Sequence, residues 1–184
     1  MNCEDEMMSE KWSIIEVLQH ARHDWLNRLQ LIKGNISLGK IEQAERIMDE
    51  IVQNMQQEAR LTNLKLPKFA ALLLTHNWES HAYQLEYEIL DERGTFALDD
   101  EKLTRWVGAF LNQLNQTVHP IHDNNLYLTV EKKNEEFCFH FHLNGIIENV
   151  DDLEKWLTYN KSYPDTVSLN KINETELMIV AVFT

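Results

Sequence analysis

The sequence predicts an α+β chain: an N-terminal αα-hairpin that forms a four-helix bundle by homodimerisation, followed by an α/β sandwich. Three observations carry that expectation. Apolar residues recur at helical spacing along two long segments joined by Gly39-Lys40. After Pro67 the pattern changes to short helices alternating with runs of period two. Finally, a two-helix hairpin cannot cover its own two apolar stripes, whereas two copies can, through a self-complementary interface; the alternative is that the C-terminal region folds back over the hairpin, and the length of the seam, several heptads, favours the dimer. The expected division is a hairpin at 1–66 and a sandwich domain at 67–184.

The first helix is expected from about Glu10 to Leu38, some 40 Å at roughly 1.5 Å per residue. Read in heptads, Ile15, Leu18, Arg22, Trp25, Leu29, Ile32 and Ile36 alternate between a and d, with Arg22 alone breaking the apolar run. Glu16, His23, Gln30 and Ser37 then take the b positions, and Ser13, His20, Asn27 and Gly34 the f positions, away from the seam. Gly39 supplies a turn, since glycine takes positive φ without steric cost. A second helix begins near Ile41, repeats Ile41, Ala44, Met48, Ile51 and Met55 on one face, flanked by Ile47 and Val52, and ends near Leu64.

Phe69 to Ala82 reads as a helix, and Gln84 to Leu90 as a strand with Leu85, Tyr87 and Ile89 on one face. Asp91-Glu92-Arg93-Gly94 reads as a turn. Asp99 is the expected N-cap of a helix carrying Leu103, Trp106, Val107, Phe110, Leu111 and Leu114, which stops before Pro120. Leu126–Glu131 and Phe137–Leu143 form a hairpin around Asn134-Glu135. A short helix from Asp151 to Tyr159 and a second hairpin, Val167–Ile172 with Glu176–Phe183 around Asn173-Glu174, complete the chain. Helices on one face of a mixed or antiparallel sheet are expected.

Composition excludes several classes. The chain has 184 residues, 43% of them apolar, with five Gly and three Pro, which is the make-up of an ordinary globular protein. No stretch approaches the ~18 consecutive apolar residues of a membrane span. Met-Asn-Cys-Glu-Asp-Glu is acidic where a secretory signal is basic. Cys3 and Cys138 have no staple or metal spacing, so reduced thiols in the cytoplasm are expected. A formal charge of −13 argues against a nucleic-acid surface, and Lys132-Lys133 is the only adjacent basic pair. Acidity of this degree also serves plain solubility and names no partner.

The most informative string is His-Asp-x-x-Asn-x-Leu-Gln-x-Ile-x-Gly-x-x-x-Leu, from His23 to Leu38. An exposed helical histidine is ordinarily just a surface residue, and charged neighbours are common. The complete string, however, resembles the H-box of histidine kinase dimerisation and phosphotransfer helices, in the branch whose histidine is followed by Asp and, three residues later, by Asn. Within that group it resembles the sporulation-initiation phosphotransferases of Bacillus most. The likeness is dense over Ala21–Leu38 and continues through Thr62-Asn63-Leu64-Lys65, Asn77-Trp78 and Leu85-Glu86-Tyr87-Glu88, then thins out.

The resemblance implies that the second domain is a kinase ATPase fold. Such a fold needs an Asn-bearing helix and Gly-rich loops of the Asp-x-Gly-x-Gly type that let the backbone approach the nucleotide. Leu111-Asn112-Gln113-Leu114-Asn115 could be a remnant of that helix, but no Asp-x-Gly-x-Gly or Walker loop occurs. The five glycines, at 34, 39, 94, 108 and 145, never fall two within four residues, and Asn144-Gly145 reads as a turn. A degenerate domain without a nucleotide site is therefore expected, and with it no autophosphorylation.

Other constellations are weaker. His20 with His23, and His140 with His142, each share a face, but neither pair has third and fourth ligands at a persuasive spacing, so no metal is expected. His119 and His122 flank Pro120 in a loop. Trp12, Trp25, Trp78, Trp106 and Trp156 fall on apolar stripes or their borders, and core packing is expected of each. No Gly-x-Ser-x-Gly or Cys–His arrangement suggests hydrolysis.

The resemblance implies a phosphorelay phosphotransferase in which His23 takes a phosphoryl group from the aspartate of one response-regulator receiver domain and passes it to another. The donor would be a single-domain receiver and the acceptor a transcription factor. Asp24 would orient the imidazole or relay a proton. Arg22 would either reach the phosphoryl group or remain a snorkelling seam residue. Asn27, Gln30 and Gly34, with His20, would form the docking strip. Mg²⁺ would sit in the receiver's acidic pocket, with no cofactor on this chain. Two alternatives remain: a sensor histidine kinase-type domain with an atypical ATP site, and a non-catalytic dimeric adaptor in which His23 is incidental.

Overall fold

A computed structural model describes residues 12–90, 98–133, 136–160 and 163–184. The elements run α1 (Ile14–Ser37), α2 (Ile41–Asn63), α3 (Pro67–His76), β1 (Gln84–Ile89), α4 (Asp100–Thr117), β2 (Asn125–Lys133), β3 (Glu136–Asn144), α5 (Val150–Tyr159), β4 (Thr166–Ile172) and β5 (Glu176–Phe183). The chain is thus a helical N-terminal region followed by an α/β sheet domain. Expectations placed on Glu10, on the 91–94 turn and on Asn134-Glu135 lie outside the described residues.

Contacts divide the chain into two compact units, one ending at Met55 and the other running Gln56–Thr184. That division lies inside α2, not at the 66/67 turn expected from the sequence. The reason is that the last turns of α2 serve the second unit. Leu61, Leu64 and Leu66 are buried in its core beside Phe69, while Gln57 and Arg60 bond to the backbone of Ile89.

In the first unit α1 starts at Ile14. Ser13 ends it with a capping box, its side chain accepting from Glu16 N while Glu16 Oε2 accepts from Ser13 N at 2.8 Å. These hydrogen bonds from Ser13 hold the Glu16 carboxyl below its ordinary range. Gly39 takes φ 71°, and Lys40 N donates to Asn35 O at 2.9 Å, closing the helix and turning the chain into α2.

In the second unit the strand order is β1-β2-β3-β5-β4. β1 and β2 are parallel, joined across α4, and every other pair is antiparallel. Alternate residues of the strands, including Leu126, Leu128, Phe139, Phe141, Ile179 and Phe183, pack against α3, α4 and α5. Trp106 of α4 anchors this layer, stacked on Phe110 at 5.6 Å and donating its indole N–H to Asn160 O at 3.0 Å.

The helix expected over Phe69–Ala82 is shorter. It begins at Pro67 and ends at His76, because the following residues are claimed by side-chain amides. Asn77 bonds both the N–H and the C=O of Leu85, at 2.9 and 2.7 Å, and Asn115 Oδ1 accepts from Ala82 N at 2.7 Å. The α3 N-terminus has no cap of its own. Asp100 supplies one from α4, accepting from Lys68 N and Phe69 N at 2.8 and 2.9 Å. Asp99 caps α4 as expected, accepting from Glu101 N and Lys102 N, which holds its carboxyl below the ordinary range.

Buried Asn124 joins three loops. Its Nδ2 donates to Ala82 O and His119 O, both at 2.7 Å, and its Oδ1 accepts from Ile146 N at 2.9 Å. Gly145 passes so close that a Cβ there would stand 2.3 Å from Asn124 Oδ1 and 2.7 Å from its Cβ. Asn124→Ala should therefore destabilise the domain by roughly 3 kcal/mol, at about 1 kcal/mol per bond lost. Gly145→Ala should cost about 1–3 kcal/mol by overpacking. In an Asn124→Gly background, which also removes the Cβ standing 2.7 Å away, the glycine substitution should cost much less, and denaturant unfolding of the wild type, the two single variants and the double variant would show additive costs if the close approach were unimportant.

Candidate functional site

The outward face of α1 gathers the residues that the H-box string singles out. His23 is 73% exposed, on the middle turn of a 24-residue helix. Its Nδ1 lies 3.2 Å from the Asn27 amide nitrogen, one turn on, and 3.6 Å from Asp24 Oδ1. The i, i+4 spacing of a helix brings the Asn27 amide over the ring, and half-buried Asp24 reaches it from the adjacent position. Nε2 has no hydrogen-bond partner among the described residues. The ring is thus held on one nitrogen and open on the other.

The expected neighbours are arranged as follows. Asn27, Gln30 and Gly34 are exposed, and nothing lies within 4 Å of the position a Cβ on Gly34 would take. Arg22 is exposed and makes no ion pair among the described residues. His20 differs from the other strip residues: it is half-buried, its ring edge-on to Trp12 with centroids 4.7 Å apart. Sequence spacing puts His20 and His23 on a shared face but does not show that an aromatic residue from outside the helix covers the first of them.

Beside this strip runs uncovered apolar surface. Leu18, Trp25, Leu29 and Ile36 of the heptad seam are 54%, 41%, 55% and 51% exposed, and no residue of α1 is buried. Trp25 therefore does not pack in a core as expected; Arg28 lies over its ring at 5.9 Å. The row of α1 that is partly covered is offset from the seam and runs through Val17, Ala21, Asp24, Arg28, Ile32 and Asn35. On α2, Ala44 is buried and Ile47 and Ile51 are half-buried, but Met48, Val52 and Met55 remain exposed.

In the sheet domain, several residues of Leu111–Asn115 and the Asn144-Gly145 turn have a structural role. Leu111 and Leu114 are buried in the core, Asn115 holds Ala82, and Gly145 sits against Asn124. His140 and His142, on the sheet face away from the helices, bond Glu131 at 2.6 Å and Glu176 at 3.0 Å. The sequence offers the His140–His142 pair no persuasive third ligand, but His140 has candidates of its own: Cys138 two residues earlier on the same face of β3, and Glu131, which the strand register sets opposite Cys138. Each of those residues is visible in the sequence; the pairing across the hairpin is what joins them.

Comparison with known proteins finds two family matches, which meet at residues 64/65, inside the second compact unit and close to the turn expected from the sequence. Residues 65–184 match the family model "Sporulation initiation phospho-transferase B, C-terminal", and residues 5–64 match "Sensor_kinase_SpoOB-type, alpha-helical domain". The chain belongs to the sporulation initiation phosphotransferase B family. It is 38% identical over 118 residues to the sporulation initiation phosphotransferase B of Bacillus subtilis, a match spanning 64% of this chain and 62% of that protein. Among solved structures it is similar to the histidine kinase AdeS of Acinetobacter baumannii, with TM-score 0.42 and 9% identity over 88% of this chain and 97% of that one. The catalytic domain of histidine kinase ThkA gives a TM-score of 0.46 and 8% identity over 64% of this chain and 88% of that one. No helix among the described residues is long and apolar enough to cross a membrane.

Proposed function

We propose that this chain is a phosphorelay phosphotransferase that carries a phosphoryl group on His23 between the aspartates of two response-regulator receiver domains, in the initiation of sporulation. The observation that carries the reading is the His23 ring, exposed on a rigid helix, with Nδ1 flanked by Asp24 and Asn27 and Nε2 open. Family membership supports it. The protein acts in the cytoplasm, where its thiols stay reduced.

Chemically, the Nε2 lone pair attacks the phosphorus of a receiver's aspartyl phosphate in line. The N–P bond forms as the P–O bond to the aspartate breaks, and the carboxylate leaves with the electron pair. The second transfer reverses these roles on another receiver. Nucleophilic Nε2 requires the ring proton on Nδ1, where Asp24, which can only accept, stabilises the positive charge that develops. Positioning does most of the remaining work, so little machinery is needed on this chain. Mg²⁺ is carried by the receiver. Arg22, one residue before His23, offers a guanidinium to the phosphoryl oxygens. Asn27, Gln30 and Gly34 form the docking strip, with Gly34 admitting a close-packed partner helix and His20 at its margin.

The active form is a homodimer in which two hairpins make a four-helix bundle and bury the seam of Leu18, Trp25, Leu29 and Ile36. Exposed leucines and a tryptophan in one continuous stripe support this, since monomeric proteins seldom leave such a stripe in water. The sheet domain acts without ATP.

Leu29→Asp should place a charge in the seam and give monomers or unfolded chain in sedimentation; a wild-type chain sedimenting as a monomer at micromolar concentration would contradict the bundle. Titration with Mg·ATP should give no heat, and saturable micromolar binding would restore the kinase alternative. His23→Gln should keep fold and dimer yet lose phosphoryl exchange with a phosphorylated receiver, because an amide cannot replace the imidazole nucleophile. His20→Gln should retain most of it. Transfer surviving in the His23 variant, or lost only in the His20 variant, would show the assignment to be wrong.

A further inference from the structure

The sheet face turned away from the helices carries a side-chain cluster that phosphoryl transfer leaves unused. Glu131 of β2 and Cys138 of β3 are direct cross-strand partners, and His140 stands two residues further along β3 on the same face. One ligand atom from each, a carboxylate oxygen, Sγ and a ring nitrogen, all lie within 4.8 Å of one another. The Glu131 oxygen is 2.6 Å from His140 Nε2 and also 2.6 Å from Lys133 Nζ. Cys138 is buried, whereas Glu131 and His140 are half-buried and open to solvent from the sheet side.

The donor set selects the ligand. A thiolate, an imidazole and a carboxylate suit zinc and its borderline-soft neighbours; magnesium and calcium prefer oxygen alone. Tetrahedral zinc holds sulfur at about 2.3 Å and nitrogen or oxygen at about 2.0–2.2 Å, which sets ligand atoms roughly 3.3–3.7 Å apart. Small side-chain rotations bring this cluster to that spacing, on a sheet backbone already fixed by the β2–β3 ladder.

We propose that Glu131, Cys138 and His140 form a zinc-class divalent cation site, with water as the fourth ligand. On binding, the Cys138 S–H bond breaks and Sγ keeps the electron pair, which it donates to the metal. The ring proton of His140 shifts to Nδ1 so that Nε2 can ligate, and Glu131 binds as the carboxylate. One proton is released per metal, and the two anionic ligands balance the dication. Lys133, which shares Oε1 of Glu131 with His140, moves to the second Glu131 oxygen or turns to solvent. The metal joins β2 to β3 independently of His23.

The test is a Co²⁺ titration of the full chain, read by the near-ultraviolet thiolate charge-transfer band and the visible bands of tetrahedral cobalt, followed by displacement with Zn²⁺. One equivalent per chain is expected. Cys138→Ser should lose the charge-transfer band, and His140→Gln and Glu131→Gln should each weaken binding about tenfold or more. Cys3→Ser, His23→Gln and His142→Gln should leave it unchanged. Zn²⁺ at a concentration that just saturates the wild type should raise its thermal midpoint by clearly more than that of the Glu131→Gln chain, a half-exposed substitution that gives a readout even where the Cys138 variant fails to fold. No cobalt spectrum in the wild type, a band that survives Cys138→Ser, or one that disappears with Cys3 or His23, would overturn the site and leave an ion-pair network only.

Discussion

Leu18, Trp25, Leu29 and Ile36 stay in water along α1 because two helices have more apolar surface than they can cover for each other. That surplus governs the N-terminal unit. It fixes which side of α1 another surface must cover, and so which side stays free for a polar strip. His23, Asn27, Gln30 and Gly34 lie on the free side through the arithmetic of 3.6 residues per turn, with no loop or strain needed to present them. A dimer built on the seam would also stiffen the helix that bears the ring, so assembly and alignment for transfer would rest on the same contacts.

The sheet domain solves a different problem, that of closing loops with few glycines. Where many folds bring backbone against backbone, this one uses carboxamides. Asn124 ties three loops, Asn77 pairs with Leu85 as a strand would, Asn115 holds Ala82, and Gln57 receives Ile89 N. Two of these groups, at Leu85 and Ile89, lie on the outer edge of β1 and satisfy backbone groups that would otherwise template another strand. A domain fastened this way has Asn115 of its Asn-rich helix and its one described loop glycine committed to structure.

Periodicity made most of the architecture legible. The α4 stripe from Leu103 to Leu114, both C-terminal hairpins and the Gly39 turn all follow from local pattern, and the string from His23 to Leu38 singles out the candidate site helix. What local pattern missed is decided at long range. α3 stops at His76 because Asn77 and Ala82 are taken by partners 8 and 33 residues away. The unit boundary falls inside α2 because Leu61 and Leu64 join a core built mostly from later residues. Gly145 looks like a turn glycine, yet its constraint is the Asn124 side chain. Cys138 and His140 share a face of one strand at a spacing of two, whereas Glu131 joins them only across the β2–β3 ladder, through the register that a hairpin around Asn134-Glu135 implies.

The two groups flanking His23 Nδ1 differ in what they can do, and the difference bears on the proposed transfer. A carboxylate only accepts, so Asp24 favours the tautomer with the proton on Nδ1 and the lone pair on Nε2. A carboxamide can do either. With its Nδ2 toward the ring, Asn27 donates to Nδ1 and favours the proton on Nε2, which leaves that nitrogen unable to attack. A half-turn of the amide presents oxygen instead and joins Asp24 in preparing Nε2. Asn27 is exposed, so a docking receiver that engages its amide nitrogen would turn the oxygen to the ring. In the proposed transfer the ring would then be readied by the receiver that docks.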